Sequence, residues 1–177
     1  QGTVALGAGS TTTLTFQNNS LIKMQIDQSL LNTLAKNGGL IRTDGGMVLM
    51  SAGAKDGLLA SVVNNTGVIE AHTVQEHNGT IILGGMTAGT VNVSGTLDAS
   101  APNGGNGGII ETSAAHVNIA DDVRITTAAR EGNVGTWLID PIDYTIAAVD
   151  PDNGTNYMSN QLLETSLGST SVIIQTV

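Results

Sequence analysis

An all-β chain is predicted, folded as a right-handed parallel β-helix with three short strands in each coil of about 28 residues and short helices on one flank. Three observations predict it. A five-residue pattern opening with glycine recurs at Gly39, Gly67 and Gly95, with the same step each time, and self-similarity at a fixed period marks a repeat architecture. Only four of the 177 residues are aromatic, namely Phe16, Trp137, Tyr144 and Tyr157. The interior must therefore be filled by stacked Val, Ile, Leu, Ala and Thr, which suits thin, repetitive β structures. Glycine is abundant at 23 residues while charged residues make up only 12%, so the chain is rich in turns and too apolar to be disordered.

The elements follow in chain order. Ser29 to Lys36 places Leu30, Leu31, Leu34 and Ala35 on one helical face and stops at Asn37-Gly38, so a short helix is expected over 29–36. The first strand series then begins with Gly39-Leu-Ile-Arg-Thr43 and continues with Gly67-Val-Ile-Glu-Ala71, Gly95-Thr-Leu-Asp-Ala99 and Val123-Arg-Ile-Thr-Thr127. Its third position is aliphatic, its fourth polar and its fifth small, the alternation a strand with one buried face requires. A second series reads Gly46-Met-Val-Leu-Met50, Gly79-Thr-Ile-Ile-Leu83, Gly108-Ile-Ile-Glu-Thr112 and Gly135-Thr-Trp-Leu-Ile139. Trp137 falls where this series has Val48, Ile81 and Ile110, so it is expected in the core. A second helix is expected over 56–63, where Leu58, Leu59, Val62 and Val63 repeat the apolar face of the first helix one period on. Thr90-Val-Asn-Val93 and His116-Val-Asn-Ile119 form a third strand series. A last helix is expected over 159–167, N-capped by Ser159, followed by a strand at Ser171-Val-Ile-Ile-Gln175. No linker divides the chain, so residues 1–177 form one domain of about six coils, a rod about 30 Å long at the usual strand spacing.

Charge and composition exclude several functions. A formal net charge of −9 argues against nucleic acid, which needs a basic face to displace counterions, and against anionic lipid. No run of eighteen apolar residues is present, so no helical membrane insertion is expected. The absence of cysteine excludes disulfides, thiol catalysis and thiolate-bound zinc. The chain opens on Gln-Gly-Thr, with neither an initiator Met nor a signal segment, and reads as a piece of a longer polypeptide.

At Gly135-Thr-Trp-Leu-Ile-Asp-Pro141, preceded by Gly95-Thr-Leu-Asp-Ala-Ser100 and Gly107-Gly-Ile-Ile-Glu-Thr-Ser113, the chain resembles the filamentous-haemagglutinin family, the large exoproteins of bacterial two-partner secretion. Asn37-Gly-Gly-Leu-Ile41, Asp44-Gly-Gly46 and Val63-Asn-Asn-Thr-Gly-Val-Ile-Glu-Ala71 are similar to coils of the same family, and the likeness is strongest from 37 to 146. The resemblance implies a Gram-negative protein that is secreted or held at the cell surface. Its partner during export would be an outer-membrane β-barrel transporter, and a host-cell receptor or glycan is the partner expected afterwards. Members serve as adhesins, haemagglutinins, haem-acquisition proteins or stalks of contact-dependent toxins. The Asn-Pro-Asn-Gly and Asn-Pro-Asn-Leu motifs of the family's secretion domain are absent, so the chain resembles an internal stretch of shaft.

The residues that carry chemistry elsewhere read here as structure. Asp121 and Asp122 are adjacent and would point to opposite faces of a strand, whereas a glycosidase needs two convergent carboxylates. Asp140, next to Pro141 and near Asp143, and the Asp150-Pro-Asp-Asn-Gly154 segment read as turns, the latter one residue short of a calcium loop. Gly104-Gly-Asn-Gly-Gly108 reads as a tight corner needing positive φ. His72, Glu76 and His77 do not share a strand or helix face suited to a metal, and His116 is expected on an outer face. No enzyme activity, metal or cofactor is expected. Two surface features remain. The outward column Arg42, Glu70 and Asp98 is a candidate binding strip, since solenoid faces often bind. Asn-x-Ser/Thr sequons at Asn18, Asn64, Asn78, Asn92 and Asn153 are candidate glycosylation sites. The expected function is that of a structural shaft or display segment of a large secreted or surface-attached adhesin mediating cell adhesion, ahead of haem acquisition, a toxin stalk or a polysaccharide-active enzyme.

Overall fold

The computed structural model describes residues 2–18, 20–28, 32–53, 61–149 and 155–176. Among the described residues the chain is all-β apart from one short helix, and most of its strands stack into three parallel sheets. The first sheet holds β1 (Thr3–Ala8), β6 (Met47–Ala52), β9 (Thr80–Gly84), β12 (Ile109–Ser113), β15 (Thr136–Asp140) and β18 (Ser171–Ile174), in that order. The second holds β4 (Thr33–Asn37), β7 (Ser61–Asn65), β10 (Thr90–Val93), β13 (His116–Ile119), β17 (Tyr157–Ser159) and β16 (Thr145–Ala147). The third holds β5 (Leu40–Arg42), β8 (Val68–Glu70), β11 (Thr96–Asp98) and β14 (Arg124–Thr126). From β4 to β15 the chain visits second, third and first sheets in strict rotation.

Register turns the sequence repeat into columns. In the first sheet Val48, Ile81, Ile110, Trp137 and Val172 are successive partners. In the third, Ile41, Ile69, Leu97 and Ile125 are. With Ala35, Val63, Val91 and Val117 of the second sheet, these inward residues form one continuous core. Trp137 is fully buried, and its indole N–H donates to Thr112 Oγ1 at 3.1 Å, which meets the polar need of the largest side chain inside. The glycines that open the strands of the first sheet are fixed by close approach between tiers. A Cβ at Gly108 would stand 2.1 Å from the carbonyl oxygen of Gly79, and one at Gly135 would stand 2.0 Å from that of Gly108.

The helices expected over 29–36 and 56–63 are corrected: residues 33–37 are strand β4, preceded by a bend at Asn32, and residues 61–65 are strand β7, while 29–31 and 54–60 lie outside the described residues. Both segments belong to the column of Thr90–Val93, with Val63 opposite Val91 and Asn64 opposite Asn92. Alternation wins over the helical period because each strand buries every second residue, Thr33, Ala35 and Asn37 in β4 and Ser61, Val63 and Asn65 in β7. Ala35 and Asn37 point in, whereas Leu34 is 56% exposed. The spacing the two segments share was a property of the tier and carried no information on helix against strand.

Asn37 and Asn65 form a polar rung inside the core. Asn37 Nδ2 donates to Asn65 Oδ1 at 2.8 Å, and Asn37 Oδ1 accepts from Gly39 N–H at 3.1 Å. The two amides thereby hold the corner between second and third sheets.

The ends depart from the repeat. Before β4, β2 (Thr11–Gln17) and β3 (Ser20–Gln28) pair as an antiparallel hairpin, which the sequence pattern left unassigned. At the other end β17 inserts between β13 and β16 although it follows β16 in sequence. Asn156, buried and at φ 48°, anchors this insertion. Its Oδ1 accepts from Val117 N–H at 2.8 Å, and its Nδ2 donates to the Ala115 carbonyl at 3.3 Å and to the Asp143 carboxylate. Burial pushes the Tyr144 hydroxyl well above its ordinary range, so it stays protonated and donates to the Tyr157 carbonyl at 3.2 Å. The helix expected over 159–167 is α1 (Asn160–Leu167), and Ser159 Oγ accepts from Leu162 N–H at 3.1 Å as its N-cap. Leu162 of α1 joins the core, and the following strand, β18, pairs with β15.

Candidate functional site

The outer face of the third sheet carries the charged column that sequence reasoning singled out. Arg42, Glu70, Asp98 and Thr126 are successive cross-strand partners. Their side chains point outward because the residue before each, in the Ile41 column, points in. The Arg42 guanidinium forms an ion pair and hydrogen bond with Glu70. Asp98 lies outside that pair, its Oδ1 accepting from Ser100 N–H at 2.9 Å.

Two residues that were not assigned to the strip belong to it. His72 Nδ1 lies 3.1 Å from Asp44 Oδ1, and His72 Nε2 lies 3.4 Å from Asp98 Oδ2. The signal was legible: Asp44 and His72 stand two positions beyond Arg42 and Glu70, hence on the same face, and one full period from each other. Only a ring carrying protons on both nitrogens donates to both carboxylates. Arg42 pairs with one of the three carboxylates Asp44, Glu70 and Asp98. The strip therefore presents carboxylate oxygens to solvent and is suited to hydroxyl or cationic groups.

The other candidates are dispersed. Among the described residues no group of three His, Cys, Asp or Glu side chains is placed to hold a metal ion. His72 faces the strip, while Glu76 and His77 are exposed in a turn closed by paired Val74 and His77 backbone bonds of 3.1 Å. His116 Nδ1 lies 3.4 Å from Asn156 Nδ2. Asp121 and Asp122 are exposed in the turn before β14. Asp143 is bonded to Asn156, whereas Asp140 ends β15 on the outer face of the first sheet. Asp150, Asp152 and Asn153 lie outside the described residues. The Gly104–Gly108 corner has φ of 103° at Gly104 and 91° at Gly105, the left-handed backbone its sequence required.

The sequons divide into two groups. Asn18 is exposed in a turn, and Asn78 is exposed just after the Val74–His77 turn. Asn64 and Asn92 are half-buried strand residues facing each other across the second sheet, and Asn92 Oδ1 accepts from Asn118 Nδ2 at 2.8 Å. No family model matches the chain, and no curated protein is significantly similar to it in sequence.

Proposed function

We propose that the chain is a right-handed parallel β-helix serving as a structural shaft in a large secreted or surface-attached bacterial adhesin of the filamentous-haemagglutinin kind. The observation that carries this reading is the rotation of the chain through three parallel sheets around one shared core. The hand follows from the preference of parallel crossovers for right-handed connection. In such a rod each tier is supported by its two neighbours, so reach and stability grow with tier number. The outer surface is then free to vary without cost to the fold. Its carboxylate strip at Asp44, Glu70 and Asp98 supports contact with hydroxyl-rich glycans, and Asn18 and Asn78 are the sequons best placed for a sugar-transferring enzyme.

The test is binding of beads coated with this segment to epithelial and red cells, against a same-sized β-helical segment of an unrelated protein. Saturable binding above that control, lost when Asp44 and Asp98 are both changed to Asn, is the result expected if the strip carries adhesion. Binding equal to the control means a passive shaft, with adhesion residing elsewhere in the parent. Intact-mass spectrometry of the natively secreted protein tests the sequons, since modified peptides gain hexose-sized increments.

A further inference from the structure

Five Asn-Gly pairs occur in the chain, opening at Asn37, Asn78, Asn103, Asn106 and Asn153, of which the last lies outside the described residues. In such a pair the glycine nitrogen is free to attack the asparagine side-chain carbonyl, because no Cβ on the glycine stands in the way. The fold treats the four described pairs differently.

Three of them are held. Asn37 is buried in the rung between second and third sheets, where its Nδ2 donates to Asn65 Oδ1 at 2.8 Å and its Oδ1 accepts from Gly39 N–H at 3.1 Å. Asn78 is exposed, but Gly79 is wedged against the preceding corner: a Cβ there would stand 1.4 Å from the Ala71 carbonyl oxygen. Its N–H donates to Thr73 Oγ1 at 3.4 Å. Asn106 Oδ1 accepts from Asn133 N–H at 2.9 Å, and Gly107 N–H donates to the Asn133 carbonyl at 2.9 Å. Side chain and attacking nitrogen are both fixed in that pair.

Asn103 differs at each point. It is exposed in the turn between β11 and β12, and among the described residues no hydrogen bond holds its side-chain amide. Gly104 N–H reaches only the Ala101 carbonyl, at 3.4 Å, beyond the usual range of such bonds. Gly104 itself sits at φ 103°, and apart from its chain neighbours no atom lies within 4 Å of its Cβ position. Open space therefore surrounds the backbone that must turn for attack.

We propose that Asn103 is a site of spontaneous covalent modification, converted by water to aspartate and isoaspartate while the other three described pairs are spared. The Gly104 nitrogen gives its proton to solvent base and bonds to Asn103 Cγ. The Cγ–Nδ2 bond breaks, and Nδ2 leaves as ammonia with a proton from water. Water then opens the succinimide ring at either carbonyl, giving aspartate or a backbone routed through the side chain. Water is the only co-reactant. Each conversion adds a negative charge to the surface of a chain already at −9. The inference stands apart from the adhesin reading and survives its failure.

Incubation of the full chain in warm, mildly alkaline buffer, followed by peptide mapping with fragment-ion mass spectrometry, tests it. A parallel sample in strong denaturant, its unfolding checked by circular dichroism, gives the rates without the fold. In the folded chain Asn103 should convert first, roughly tenfold or more faster than Asn106, whose release must break the two bonds to Asn133. In denaturant the four pairs should converge, since glycine follows each of them. Asn103→Gln should remove the early mass gain and leave the rates at the other pairs unchanged. Conversion at Asn103 no faster than at Asn78 or Asn106 in the folded chain, or the same ranking kept in denaturant, overturns the proposal.

Discussion

The third sheet and the first share one core, yet their outer faces have opposite characters. Outside the third sheet, Arg42 and Glu70 pair and His72 bridges Asp44 and Asp98. Outside the first sheet, Leu49, Ile82, Leu138 and Ile173 are successive or neighbouring tiers of one apolar column, interrupted by Glu111. The inward columns of both sheets are nearly interchangeable aliphatic ladders. The difference teaches that the tier fixes what lies inside and leaves each outer face to be specified separately. Stability should therefore answer to inward residues and recognition to outward ones.

The largest effect is expected in the inward column of the first sheet. Trp137→Ala should cost about 3–5 kcal/mol in chemical denaturation, because it empties that column at one tier and takes away the indole donor that Thr112 accepts. Next comes the corner between second and third sheets. Asn65→Ala takes one acceptor from Asn37 Nδ2, which keeps the Gly39 and Val68 carbonyls at 3.3 Å, and should cost about 1 kcal/mol, the net worth of one hydrogen bond. Outward changes should be smaller. Arg42→Ala should cost no more than about 1 kcal/mol, shrinking further as salt is added, since the pair is half in solvent. Gly84→Leu should leave stability within about 1 kcal/mol of the parent, as it meets open space and removes a flexible strand glycine. If Arg42→Ala proved as damaging as Trp137→Ala, the separation of inside from outside would fail.

The fold was legible where alternation and glycine spacing coincide. The series opening at Gly39, Gly46 and their equivalents are β5, β8, β11 and β14 in the third sheet, and β6, β9, β12 and β15 in the first. It was misread where apolar residues run together, as at Leu34-Ala35 and Val62-Val63, because a short apolar run fits helix and strand alike. The decisive sign lay in the asparagines: Asn64 and Asn92 stand one period apart in the same Val-Asn context. The hairpin of β2 and β3 gave no repeat to align, and the return of the chain at Asn156 depends on backbone partners far earlier in the sequence, at Ala115 and Val117. The strip was half legible, through Arg42, Glu70 and Asp98.

Deleting residues 67–94 tests the central claim most directly. The cut removes one whole tier (β8, β9 and β10) and joins Thr66 to Gly95, the equivalent of Gly67 one tier on. Asp98 would then take the place of Glu70 opposite Arg42, and Ile110 that of Ile81 opposite Val48. If tiers are interchangeable units of a rod, the shortened chain should fold cooperatively, with the same β spectrum per residue and a denaturant slope reduced in proportion to its length. Deleting residues 67–80 instead breaks the rotation and should abolish folding. A tier-deleted chain that fails to fold, or one no more stable than the chain cut out of phase, would contradict the account.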